Sequence, residues 1–235
     1  MKKKIQRILA LLLSAALLLG AAPSPGEESA QSQDIGKSLS REEDKSQLPQ
    51  NSWTDVENMK YWHKLFAGVK LSGAWSEDLV HIALTQVGYR ESTLNVRRDE
   101  EGMPQGYTRY GAWYGVPHGE WCAMFIAFCL YFARIPESSV PYEANCGRWE
   151  GALREKGLYN DSKSYVPQRG DLVFFGQRGI PAHVGIVLGI NEWTGELSYI
   201  HGNAAEKDVA IDSIKLNHGT IVGYGMLPEN PDYAK

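Results

Sequence analysis

The sequence predicts an α+β domain in which N-terminal helices pack on a C-terminal antiparallel β-sheet. Two observations carry this. Apolar residues recur at helical spacing from about residue 53 to residue 156, and short β-rich runs separated by Gly, Pro, Asn and Thr-Gly turns fill residues 171–226. Helices followed by strands, rather than alternating with them, indicate segregated layers.

The elements follow in chain order. Residues 1–7 are basic, residues 8–19 form an unbroken apolar and small-residue run, and Gly20-Ala21-Ala22 supply small residues, so residues 1–22 read as a secretory signal peptide. The run is shorter than the roughly 20 residues that span a bilayer, which makes an uncleaved anchor the alternative. Residues 23–51 are rich in Ser, Gln, Glu, Asp, Lys and Pro and read as a flexible linker. Residues 52–74 carry Met59, Trp62, Phe66 and Val69 in a helical pattern and form a possible helical extension. A helix over 75–87 is predicted by Ser76 as cap, Glu77 and Asp78 in the first turn, and Leu79, Ile82, Ala83 and Val87 on one face, with Gly88 ending it.

Next, Gly115, Pro117, His118 and Gly119 lead into an apolar helix that begins at Trp121-Cys122 and runs until Arg134 and Pro136. Residues 146–156 make a further helix with Trp149 and Leu153 inward and Gly157 closing it. Strands are expected over 171–175, 183–190, 197–203, 209–213 and 221–226. The domain proper spans 75–228, followed by a tail of residues 229–235.

Of 235 residues, 24 are Lys or Arg and 28 Asp or Glu, for a net charge of −4. The basic residues are scattered, which argues against nucleic acid as a partner. No internal repeat or second composition block marks an added binding module, and a monomer is expected. Three cysteines leave one unpaired under any internal scheme. Cys122 is the simplest to leave free; Cys129 and Cys146 are expected as two buried thiols, with a bridge between them as the alternative.

Cys122 falls in the first turn of its helix, where unpaired N–H groups and the positive end of the dipole favour a thiolate. Thiol catalysis also needs a base, a polar group to orient that base, and oxyanion donors. His183 follows the turn Gly179-Ile180-Pro181-Ala182 and is expected at the mouth of a strand. On the next strand His201 and Asn203 point to one side, and either can hold the His183 tautomer. Tyr110 or Tyr114 is a candidate second oxyanion donor or groove residue, as is Trp121 for the groove. His118, in a Pro-His-Gly loop, is a poor platform for a base. A zinc site of Cys122, His183 and His201 is a chemical alternative, although paired short ligand spacings are missing.

The ordered set Trp121-Cys122-Ala123-Met124-Phe125, Gly170-Asp171-Leu172-Val173-Phe174-Phe175, His183-Val184-Gly185-Ile186-Val187 and Ile200-His201-Gly202-Asn203 resembles the CHAP domain, the cysteine, histidine-dependent amidohydrolase/peptidase family. The resemblance covers about residues 82–227. It implies a papain-like α+β fold, Cys122 as nucleophile, His183 as base and acid, peptidoglycan amide bonds as substrate, and no cofactor or metal. Asp171 reads as structural.

CHAP domains commonly carry Glu-x-Asn on the third strand, and here His201 stands in the glutamate place. The related NlpC-like wall peptidases use a histidine as third residue. The expectation is therefore Asn203 as orienting residue, with His201 as a nearby contributor and no carboxylate behind His183. Together with the signal peptide, this implies a secreted, wall-associated hydrolase, either endopeptidase or N-acetylmuramoyl-L-alanine amidase. An inactive papain-like binding module is the alternative, and Trp53, Tyr61 and Trp62 are a candidate wall-contacting surface.

Overall fold

The computed structural model describes residues 58–161 and 163–233. The expected signal peptide, the linker, Trp53 and the last two residues of the tail lie outside the described residues. Helix α1 (Met59–Leu65) starts on Asn58, whose side chain accepts from the Tyr61 N–H. Helix α2 (Trp75–Leu84) buries Leu79, Val80, Ile82 and Ala83. A small hairpin of β1 (Val96–Arg98) and β2 (Pro104–Gly106) then leads to the short helix α3 (Arg109–Tyr114).

Helix α4 (Cys122–Phe132) is the centre of the domain. Every one of its residues except Tyr131 is buried, the pattern of a helix packed on all sides. Trp62 of α1 meets Phe128 edge-on at 6.1 Å between ring centroids, and Phe66 lies 4.5 Å from Phe132. Trp62 is therefore core and not part of a contact surface. Helix α5 (Cys146–Glu155) begins on Asn145, which accepts from the Arg148 N–H, and buries Trp149 and Leu153 as its spacing predicts.

The remaining strands are β3 (Tyr159–Asn160), β4 (Leu172–Gln177), β5 (Ile180–Asn191), β6 (Glu196–His201), β7 (Ala210–Lys215) and β8 (Ile221–Gly225). They form one antiparallel six-stranded sheet in the order β3-β8-β4-β5-β6-β7. Helices α4 and α5 contact β5. Phe174, Val184, Ile186 and Ile200 join the helical core, while Val173, Val187, Leu197 and Tyr224 form a smaller cluster of their own. Helices first and an antiparallel sheet second is the α+β order expected.

Two local expectations are corrected. Helix α2 is capped at Ala74 and ends at Leu84, three residues early; Ser76 lies inside it. Buried Asp78 instead ties down the chain ahead of the helix, its carboxylate accepting from the Ser72 N–H, the Ser72 hydroxyl and the Gly73 N–H. Strand β5 starts at Ile180, so His183 is three residues into it and not at its mouth. The β4–β5 turn shrinks to Arg178-Gly179, both with positive φ (53° and 78°), which suits the twist of a tight hairpin.

Candidate active site

Cys122 is the first residue of α4. Trp121 occupies the cap position without a side-chain cap bond, so first-turn N–H groups are left for the site. Trp121 itself is wholly buried. Its indole N–H donates to Glu91 at 2.9 Å and its ring stacks on Tyr110 at 5.2 Å, which fixes the helix start against the core.

His183 stands on β5, and its Nε2 lies 2.7 Å from Nδ1 of His201 at the end of β6. The β5–β6 register places Gly185 opposite His201, so the two imidazoles meet on a diagonal. A Cβ on Gly185 would stand 2.8 Å from the Tyr199 ring and 3.4 Å from the His201 Cβ, so the bare glycine keeps this diagonal open. On the far side of His201, Nε2 lies 3.2 Å from Asp212 Oδ2 on β7. Tyr199 is the residue paired with Asp212, so this contact is diagonal too.

Gly202 closes the arrangement. A Cβ there would stand 2.5 Å from the Trp121 ring and 2.7 Å from the Phe125 Cβ, so only glycine lets the end of β6 lie directly on the start of α4. The Cys122 thiol is thereby brought within hydrogen-bond reach of His183 and of the Val184 backbone N–H. Cys146, the first residue of α5, places its sulfur 3.8 Å from that of Cys122. All three cysteines are free and buried, so the Cys129–Cys146 bridge is not formed.

A family model described as the CHAP domain matches residues 112–203. That match spans 92 of the 235 residues, under half of the chain. The match takes in Cys122, His183, His201 and Asn203, while Asp212 lies beyond it. Two solved structures are similar: "The crystal structure of Ly7917", at 13% identity over 65% of this chain and 62% of that one with a TM-score of 0.42, and "The crystal structure of Ly7917 with the hydrolyzing product of MDP", at 14% identity over 65% and 63% with a TM-score of 0.39. The chain thus spans less than two thirds of those chains. No curated protein matches.

At the site the hydrogen-bond donors can be assigned by elimination. Asp212 as a carboxylate only accepts, so His201 Nε2 carries the proton and donates to it. Nδ1 of His201 is then an acceptor, filled by the His183 Nε2–H, which leaves Nδ1 of His183 for the thiol. The chain runs Asp212, His201, His183, Cys122. Burial holds His201 below the usual histidine range, the neighbouring His183 adds to this, and Asp212 opposes it. A neutral His201 is the form that accepts.

The Cys122 thiol is held well below the usual thiol range, first by the hydrogen bond from Cys146 and then by His183 and the Val184 N–H, against the opposing effect of burial. Cys146 is pushed up, because it is the partner that keeps its proton. Cys129, fully buried in the middle of α4, is pushed up by burial alone.

Several expectations for the site change. Asn203, expected to orient His183, sits past the end of β6 at φ 54°, and its amide donates to Glu120. The left-handed turn swings it off the strand face, so His201 takes the place beside His183. The missing carboxylate is supplied from another strand by Asp212. Tyr110 is not groove-lining: it is fully buried and its hydroxyl donates to Gln86. Tyr114 donates to the Tyr142 carbonyl and lines a cavity of about 630 Å³ with Tyr131, Arg134 and Glu137, at the opposite end of α4 from Cys122. Trp121 is buried beneath the site. His118 contacts Asn95, not Cys122. The zinc alternative fails on geometry, because His183 and His201 aim at each other and not at a common point. Asp171 is structural, as expected, accepting from Tyr165, Gln168 and Leu227.

Asp212 and Cys146 were the residues that sequence reasoning missed. Neither has a local motif; their roles come from strand register and from two helix starts meeting.

Proposed function

We propose that this protein is a cysteine hydrolase cleaving amide bonds of peptidoglycan, exported by its N-terminal segment. The observation that carries this reading is the hydrogen-bonded line from Cys122 through His183 to His201, with the sulfur at a helix start. Cys122 is the nucleophile and His183 its base and acid. His201 and Asp212 are positioning residues that hold His183 with Nδ1 toward the thiol.

In the acylation step the Cys122 thiolate attacks the amide carbonyl. The oxyanion forms beside the Cys122 backbone N–H at the positive end of α4. The His183 imidazolium protonates the leaving amine through Nδ1 while its Nε2–H remains on His201. Neutral His183 then takes a proton from water, which hydrolyses the thioester. A peptidase and an N-acetylmuramoyl-L-alanine amidase share these steps and differ only in which amide is presented.

The test is a digest of purified peptidoglycan with the wild type and Cys122→Ala. New amino groups released by the wild type alone are expected, and the masses of the fragments name the bond. A wild type that releases none overturns the reading.

A further inference from the structure

Amide hydrolysis by Cys122 and His183 makes no use of a second thiol, yet Cys146 stands 3.8 Å from the Cys122 sulfur. Both residues open a helix, so each sulfur hangs from an end that a side-chain rotation can re-aim without moving the helix behind it. A disulfide requires about 2.05 Å, so the two sulfurs need to close by about 1.8 Å. Both are only 6% exposed, so the oxidant considered is a small one, hydrogen peroxide. Cys129 is not a competitor for Cys122: seven residues along the same helix places it about 10 Å away.

We propose that Cys122 and Cys146 form a reversible disulfide that switches the hydrolase off in the presence of a peroxide and that a dithiol switches back on. The proposal rests on Cys122 being the nucleophile, as argued above. In the first step the Cys122 thiolate attacks the O–O bond of hydrogen peroxide. Sulfur is oxidised to the sulfenic acid, one peroxide oxygen stays on it, and the other leaves as hydroxide, which takes a proton from the His183 imidazolium to become water. In the second step the Cys146 sulfur attacks the sulfenic sulfur. The S–O bond breaks, and the departing hydroxide takes the Cys146 proton as a second water. In balance, two thiols and one peroxide give one disulfide and two waters. A dithiol reverses this by thiol–disulfide exchange. Cys146 thereby also shields Cys122 from further, irreversible oxidation.

The experiment treats the reduced full chain with hydrogen peroxide, blocks remaining thiols with N-ethylmaleimide, and digests without reduction for mass analysis. Peptidoglycan hydrolysis is measured before treatment, after it, and after dithiothreitol. In the wild type a Cys122–Cys146 linked peptide, a loss of at least about tenfold in activity, and recovery with dithiothreitol are expected. Cys146→Ser, measured against its own untreated level, should give no linked peptide and, at high peroxide, a loss that dithiothreitol does not restore. Wild-type Cys122 recovered as sulfinic acid with Cys146 blocked, or a link involving Cys129, overturns the switch. A reduced protein that hydrolyses peptidoglycan but forms no link overturns the switch alone. A link in a protein inactive when reduced overturns the proposed function and the switch with it.

Discussion

Removing His201 should cost far more activity than removing Asp212, and the two losses should not add. The His183–His201 bond is 2.7 Å long and partly buried, and in the proposed acylation step it holds His183 as the imidazolium. A hydrogen bond to a charged group contributes about 1.5–3 kcal/mol, and each 1.36 kcal/mol is a factor of ten, so His201→Ala should lower kcat/KM by about 10- to 150-fold. Asp212 has a side chain 60% exposed and lies 3.2 Å from His201. A pair so open to solvent contributes at most about 1 kcal/mol, so Asp212→Asn should cost no more than about fivefold. Asp212 acts only through His201, so in the His201→Ala background its replacement should change the rate by less than about twofold. His201→Asn, whose Oδ1 stands close to the place of the ring Nδ1, should recover most of the loss, and Asn203→Ala should sit within about threefold of wild type. The assay is initial-rate release of amino groups from purified peptidoglycan, on variants whose melting curves show them folded. Equal effects of Asp212→Asn in both backgrounds, or a larger loss from Asn203→Ala than from His201→Ala, would refute the relay.

Three further outcomes are expected. Gly202→Ala puts a methyl 2.5 Å from the Trp121 ring and should destabilise the domain by about 1–3 kcal/mol, read from denaturant midpoints, with a loss of hydrolysis besides; an unchanged midpoint would count against the close contact of β6 and α4. Because Cys122 is held below the usual thiol range while Cys129 and Cys146 are pushed above it, iodoacetamide at about pH 6 should label the native protein at Cys122 alone; labelling that rises tenfold per pH unit, as for a free thiol, would contradict this. His201 is held below its ordinary value of 6.5, so the unfolded chain binds that proton more readily than the fold does. Stability should therefore fall as pH drops below 6.5 and be insensitive to this group above it, and His201→Gln should flatten the slope of urea midpoint against pH; an equal slope would show that burial of His201 is not the cause.

Much of this was legible in the chain. The apolar run after Trp121 contains no polar break until Arg134, which is why the buried helix and its leading cysteine could be read directly. The β-rich runs between turn residues placed the strands of the large sheet from residue 171 onward to within a few residues. What stayed hidden depends on distances between elements. Choosing between His201 and Asn203 needed the knowledge that the chain turns left-handed at 203 and leaves the sheet. Asp212 reaches His201 only because the β6–β7 register sets it two pairs beyond Ala210, on the same face of the sheet. The contact of Cys146 with Cys122 arises from two helix starts 24 residues apart in sequence converging on one point. Tyr110 was misread because an aromatic residue just ahead of a nucleophile looks like groove lining, while its hydroxyl is spent inside on Gln86.

The bare contact at Gly202 ties the chemistry to the core without a cushion. The backbone at Gly202, just past β6, rests on the Trp121 ring and the Phe125 Cβ with no side chain between, so a rotation or swelling at the start of α4 is passed directly to the spacing between the sulfur and the imidazole. The thiol–imidazole distance is in this sense a gauge of how tightly the domain is packed, and hydrolysis will register a loosening of the core well before the sheet itself comes apart.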